Sequence, residues 1–290
     1  MKSYLNALLA AILAAVLLSG CTTSRTVGTN SQFKGPVGLQ LYSFRGQFTK
    51  NVPATLDLVK SLGFREVELA GTYNLPPDKF QAMLTERGLV AVSAHFPYER
   101  YRDNPEGVAT DAKALGLKYA GLAWIPHQGD FDEQECREAI RVFNKAGEVL
   151  ANHGIRFFYH AHGYEFHAHS QGTLMDLLIQ ETHAKNVAFQ MDTVWVFFPG
   201  QNPAEWLAKY PNRWELVHLK DLKHGVARGE LTGKTDPNND VALGTGQLNW
   251  AEILKAAKKA GVKHYFIEDE SADVVNQIPL TLGYLEQIRW

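Results

Sequence analysis

The stretch Gly154-Ile155-Arg156-Phe157-Phe158-Tyr159-His160-Ala161-His162 decides the fold. It starts with a glycine, the residue favoured just past a helix end, where positive φ is often needed. A short run rich in β-branched and aromatic side chains follows, which reads as a strand. Its two histidines alternate with Tyr159 and Ala161, so both rings stand on one side of that strand. The same unit recurs along the chain. Gly63, Gly88, Gly116 and Gly261 each close an amphipathic segment just before another such run. Strands are expected at 37–43, 66–70, 91–97, 119–126, 155–162, 187–196, 215–221 and 264–270. Helices are expected between them: Pro53 and Pro77 suit first helical turns, and Leu56, Val59 and Leu62 keep helical spacing.

Eight strand-then-helix units imply parallel strands joined by crossover helices. Eight of them in about 255 residues fit a single closed (β/α)8 TIM barrel of the α/β class. The alternative is an open doubly wound sheet, which usually carries a Gly-rich phosphate turn after its first strand. Gly38-Leu39-Gln40-Leu41-Tyr42-Ser43 is not such a turn. No interdomain linker is visible. The longest polar stretch, 223–239, reads as a long loop after strand seven, on the catalytic face and able to act as a lid.

Composition agrees with one globular unit. The 290 residues are 45% hydrophobic and 21% charged, which excludes disorder, collagen and coiled coil. With 29 Lys+Arg against 31 Asp+Glu the net charge is −2, so no overall field draws the chain to nucleic acid. Two cysteines cannot build a disulfide framework.

The first twenty residues stand apart. Lys2 precedes an apolar run at 8–18, too short to span a bilayer but right for a signal peptide. It ends in Leu18-Ser19-Gly20-Cys21, which resembles a bacterial lipobox. We therefore expect a lipoprotein signal peptide at 1–20, lipidation of Cys21 and attachment to the cell envelope. Thr22 rather than Asp after the cysteine favours the outer membrane. Residues 21–35, rich in Ser, Thr, Asn and Gly, read as a flexible tether, leaving 36–290 for the barrel. Without residues 1–20 the balance becomes 28 basic residues against 31 acidic ones. Cys136 lies among acids that disfavour a thiolate and reads as a bystander.

Active sites of TIM barrels form at the C-terminal ends of several strands. Those ends here carry Glu68, His95, Trp124, His160 with His162, Asp192, His218 with Lys220 and Asp221, and Glu268 with Glu270. Glu165 follows strand five. Inward polar groups are costly unless paired or bound, so their concentration at one end is the main functional signal. His160, Asp192, His218 and Glu268 form a plausible cage for one divalent ion. The imidazole–carboxylate mixture suits Mn²⁺, Co²⁺ or Zn²⁺, and a pure Mg²⁺ site normally uses fewer histidines. Glu270 is the alternative ligand on strand eight. His167 and His169 read as loop residues, and His153, His183, His224 and His264 as surface residues. Trp124 and Trp195 suit either the core or an aromatic wall for a sugar ring.

These motifs, with Glu66-Val67-Glu68-Leu69-Ala70-Gly71, Tyr159-His160-Ala161-His162-Gly163-Tyr164-Glu165-Phe166 and Gly244-Thr245-Gly246-Gln247-Leu248-Asn249-Trp250, resemble the xylose isomerase-like TIM-barrel superfamily of sugar phosphate isomerases and epimerases. The resemblance runs from about Gly35 to the C-terminus. It implies one divalent metal held by Glu, Asp, His and Glu from strands five to eight. Asp192, His218 and Glu268 match the last three. The first is open: His160 takes that place, or Glu165 reaches back to the metal. It also implies proton abstraction beside a sugar carbonyl through an enediolate, with Glu165 and Glu268 as acid and base. Glu68, His95, Trp124, His162 and Lys220 are expected to contact substrate. Phosphorylated sugars stay in the cytoplasm, so an exported member points to an unphosphorylated keto-sugar or keto-glycoside. An isomerase or epimerase is expected, with a lyase on a 3-keto-glycoside or inosose as the alternative. A non-catalytic sugar-binding lipoprotein and a DNA-repair endonuclease are disfavoured.

Overall fold

The computed structural model describes residues 26–290. The expected signal peptide and Cys21 lie outside them. Eight parallel strands close into a barrel in the order β1-β8-β7-β6-β5-β4-β3-β2. They are β1 (Val37–Gln40), β2 (Glu66–Leu69), β3 (Val90–His95), β4 (Tyr119–Leu122), β5 (Arg156–His160), β6 (Val187–Asp192), β7 (Trp214–Leu219) and β8 (His264–Ile267). Helices cover the outside, among them α1 (Val52–Ser61), α2 (Pro77–Glu86), α3 (Glu133–Asn152), α4 (Thr193–Phe197), α5 (Trp250–Ala260) and α6 (Val274–Gln287). The TIM-barrel expectation holds. Several strands stop earlier than expected because polar side chains start the next element at once. Gln40 accepts from Tyr42 N to open a 3₁₀ turn, and Asp192 caps α4.

Alternation along the strands sorts side chains into two shells. Phe157 and Tyr159 of β5 face outward onto Phe143 of α3, at 5.0 Å between ring centroids in each case. Phe158 turns inward and joins Val92, Tyr119, Ala188, Leu216 and Phe266 in a buried apolar plug. Helix α3 meets β5 because its buried residues Ala139, Ile140, Phe143, Ala146 and Leu150 repeat at helical spacing, and Asp132 with Glu135 close a capping box at its start. All five glycines expected past helix ends have positive φ, from 68° to 89°.

The tether expectation is corrected for residues 26–35. Asn30 Nδ2 donates to the carbonyls of Leu285 and Ile288, at 2.7 and 3.1 Å, and Gln32 Nε2 donates to that of Trp290 at 2.8 Å. Phe33 sits edge-on to Tyr265 at 5.0 Å. The polar composition that suggested a tether instead satisfies carbonyls left unpaired at the end of α6. His264 is also corrected: it is buried and its Nδ1 lies 2.7 Å from Glu66 Oε2.

Candidate functional site

The strands that carry the apolar plug carry a polar layer one inward position further on. Phe158 precedes His160, Ala188 precedes Gln190 and Asp192, Leu216 precedes His218, and Phe266 precedes Glu268. Strand register sets these side by side: His160 pairs with Gln190, Asp192 with His218, and His218 with Phe266. Above the layer lies a cavity of about 460 Å³, roofed in part by Gly233, Lys234, Thr235 and Pro237. The loop 223–239 therefore lies over the site, as expected. It packs closely, since a Cβ on Gly233 would stand 2.9 Å from His162 Nδ1.

Asp192 is buried and divides its two oxygens. Oδ1 accepts from Val194 N and Trp195 N at 2.8 and 3.0 Å, capping α4. Oδ2 is buried without a hydrogen-bond partner. It faces His218 Nδ1 at 3.8 Å, Lys220 Nζ at 3.8 Å and His160 Nε2 at 4.0 Å. An orphaned buried carboxylate oxygen is expensive, and two imidazoles and an ammonium facing it from three directions make it a ligand position.

The hydrogen bonds assign the rings. Gln190 Nε2 donates to Glu68 Oε2 at 2.8 Å, which turns its Oε1 toward the histidines. That oxygen lies 2.9 Å from His160 Nδ1 and 3.1 Å from His95 Nε2. An amide oxygen only accepts, so both nitrogens carry hydrogen and His160 Nε2 keeps its lone pair toward Asp192. His218 Nε2 donates to Glu68 Oε1 at 2.5 Å, which leaves Nδ1 facing Glu268 Oε2 at 3.0 Å. Two acceptors cannot share that spacing without a proton or a cation between them. Burial disfavours a charged His218 ring, but Glu268 and Glu68 outweigh it and hold its pKa well above the ordinary value. Burial likewise disfavours an ionised Glu68, yet His95 and His218 bring it down to about 2.

Asp192, His218 and Glu268 bring one ligand atom each within 4.8 Å of one another. Ligands about 2.1 Å from a single ion stand roughly 3–4 Å apart, so the set suits a divalent metal, with His160 Nε2 beside it. The carboxylate behind His218 is the usual means of orienting a metal-bound imidazole.

Lys220 is 2% exposed. Its Nζ donates to Glu270 Oε1 at 2.6 Å and lies 3.5 Å from Asp240 Oδ2 and 3.6 Å from Glu268 Oε2. Burial opposes its charge, but Asp240 and Glu270 raise its pKa well above the ordinary value. Trp195 forms the wall beneath it, with Nζ 5.5 Å from the ring centroid. The Trp195 ring also stacks on His162 at 4.6 Å and 20°. His162 lines the cavity with an unpartnered buried Nδ1, and burial lowers its pKa to about 4.

Three expected site residues do not line the cavity. Glu165, expected in catalysis or on the metal, is fully buried and turned away from the cavity. Its Oε1 accepts from Tyr159 OH and from His162 N at 2.9 Å, and its Oε2 from Gly163 N at 2.7 Å. Tyr159 faces the helices, so the carboxylate folds behind β5 and shapes the loop. Glu68, expected to touch substrate, has no oxygen to spare: besides His218 and Gln190, Gln40 Nε2 and Ser93 Oγ donate to it at 2.7 and 2.6 Å. Trp124 stands at the rim, stacked on His127 at 4.8 Å, and does not line the cavity.

His95 lines the cavity as expected. Asp221 does not. It is buried and accepts from Gly244 N, Gly246 N, Leu248 N and Trp250 Nε1, which fixes the glycine-rich turn before α5. A Cβ on Gly246 would come within 2.3 Å of its Oδ1, so this position needs glycine. Cys136 is buried and its thiol is pushed up to about 12, chiefly by burial. Gln190 and Asp240 escaped the sequence reading. Gln190 carried a signal, an inward amide two residues before Asp192. Asp240 carried none, because it arrives from the long loop.

A parallel eight-stranded barrel with a histidine–carboxylate cluster at the C-terminal ends of its strands defines a TIM barrel built for chemistry at that face. The chain belongs to the xylose isomerase-like TIM barrel family, whose model matches residues 56–290. It is 27% identical over 168 residues to inosose dehydratase of Geobacillus thermodenitrificans, an alignment covering 55% of each chain. The chain thus spans little more than half the length of that relative. Inosose dehydratase 2 of Bacillus cereus is 27% identical over 232 residues, covering 76% of this chain and 74% of the relative. The crystal structure of a sugar phosphate isomerase/epimerase from Parabacteroides distasonis superposes with a TM-score of 0.71 at 25% identity, covering 86% of this chain and 96% of that one.

Proposed function

We propose that the protein is a divalent-metal-dependent carbon–oxygen lyase that removes a proton beside a sugar carbonyl and expels an oxygen from the next carbon. The unpartnered Asp192 Oδ2, ringed by His160, His218 and Lys220, carries this reading. The inosose dehydratases among its relatives favour elimination over isomerisation. His160, Asp192, His218 and Glu268 would hold the ion, and Glu68 would orient His218 from behind. When bound, the ion supplies Lewis-acid polarisation of the carbonyl.

The chain's own groups do the rest. Glu165 is out of reach and Glu268 belongs to the ligand set, so the base is His162. Burial keeps its ring neutral, the ring lines the cavity, and Trp195 holds its plane. Lys220 and His95 bind substrate hydroxyls, and the loop 223–239 limits water. The substrate class is an unphosphorylated keto-sugar, inosose or keto-glycoside. This rests on the export signal and lipobox cysteine read in the sequence, with Cys21 as envelope anchor. Isomerisation or epimerisation is the second reading, because returning the proton from the same enediolate needs the same base.

The test combines metal analysis of the native protein and Asp192→Ala with NMR of scyllo-inosose and 3-keto-glucosides in D₂O. We expect one bound ion in the native protein only, deuterium at the α carbon, and an unsaturated product. Deuterium without elimination supports the isomerase reading. Absence of both metal and exchange overturns both readings.

A further inference from the structure

Four carboxylates surround Lys220 Nζ within 4 Å: Glu270 at 2.6, Asp240 at 3.5, Glu268 at 3.6 and Asp192 at 3.8 Å. One buried ammonium cannot neutralise four anions. Asp192 and Glu268 stand with the histidines in the ligand set. Glu270 has the short ion pair. Asp240 shares Lys220 with the other three, at 3.5 Å, and has no other cation within 4 Å among the described residues.

Its position is built rather than incidental. Asp240 is 3% exposed, and its strand Asp240–Val241 pairs antiparallel with Asp221–Leu222, just past β7. Its Oδ2 accepts from Glu270 N at 2.9 Å. Its Oδ1 makes no hydrogen bond among the described residues, and the side chain lines the cavity. Buried carboxyls crowded by like charge keep a proton that exposed ones lose. In agreement, burial pushes Asp240 up to about 7 despite Lys220.

We propose that Asp240 is the general acid that protonates the departing oxygen. This rests on the lyase reading above. In the step, His162 takes the α proton, and the C–H electron pair passes into the enediolate. That pair then forms the new double bond as the carbon–oxygen bond to the β carbon breaks. The departing oxygen keeps its bonding pair and takes the proton from Asp240, leaving as water or an alcohol. Substrate loses one molecule of water or alcohol, and no oxidant or reductant is needed.

The experiment compares Asp240→Asn with the native metal-loaded enzyme on methyl and 4-nitrophenyl 3-keto-glucosides, following deuterium exchange and elimination separately. An alkoxide needs a proton to leave, whereas nitrophenolate does not. We expect methanol elimination to fall about 100-fold or more, nitrophenol elimination to fall less than about threefold, and deuterium exchange to persist. A loss equal for both leaving groups means that Asp240 is structural, and an unchanged rate means that it is idle; either overturns the proposal. Native enzyme that exchanges but never eliminates also overturns it while leaving the metal site and base intact. Native enzyme that does not exchange at all fails at the lyase reading itself and takes the acid with it.

Discussion

Glu68 Oε1 accepts a 2.5 Å hydrogen bond from His218 Nε2, joining the end of β2 to the end of β7 across the barrel axis. That bond fixes which ring nitrogen faces Asp192 and Glu268. Glu68→Gln keeps the shape but weakens the acceptor. Metal affinity should fall about 10–100-fold, the usual effect of losing an orienting carboxylate. Isothermal titration with Zn²⁺ or Mn²⁺ checks this; affinity within a factor of two of native would show that Glu68 does not orient the ligand.

The divided roles of the Asp192 oxygens predict a split between two variants. Asp192→Ala removes both the cap of α4 and the proposed ligand, so the metal-free protein should lose about 0.5–2 kcal/mol. Asp192→Asn keeps a good capping oxygen, so its metal-free stability should stay near native while metal binding is still lost. Urea unfolding of both metal-free variants, with metal content measured alongside, decides it. Equal destabilisation of the two would disprove the division.

Glu165 is bonded to Tyr159 and to the backbone of His162 and Gly163, away from the cavity. Glu165→Gln should lower stability by about 1–3 kcal/mol, because one of its buried partners loses an acceptor. Turnover at 25 °C should stay within about fivefold of native. A drop of about 100-fold, the scale of a lost general base, would return Glu165 to the catalytic set.

Asp240 predicts a pH effect on the metal-free fold. Its pKa is raised from 3.8 to about 7 by burial, against the attraction of Lys220 and alongside the repulsion of Glu270 and Asp192. The folded chain therefore holds this proton longer than the unfolded chain. The stability it contributes is present below about pH 4 and is lost as pH rises toward 7. Asp240→Asn lacks that slope, so its midpoint of urea unfolding should gain on the native protein between those limits. Parallel midpoints from pH 4 to 8 would refute the shift.

Much of the site was legible because strand alternation has a period of two. His160, Asp192, His218 and Glu268 could be placed at one end of the barrel from the apolar runs before them. Gln190 was equally placed by that rule, but an amide in a strand looks bland until two imidazoles share its oxygen. Glu165 misled because a loop has no such period. Only the contact with Tyr159, a residue aimed at the helices, shows that it turns outward.

The chain by itself determined eight strand-then-helix units, their glycine-marked joints and the polar strand tips, since each follows from local backbone preference and side-chain period. Tertiary structure alone decided which carboxylates meet. Glu68 became the support of His218, Asp240 came from the long loop to stand beside Lys220, and residues 26–35 docked on α6 instead of hanging free. These outcomes depend on partners far away in sequence. Hydrogen-bond geometry and charge crowding set them, and both exist only once the barrel has closed.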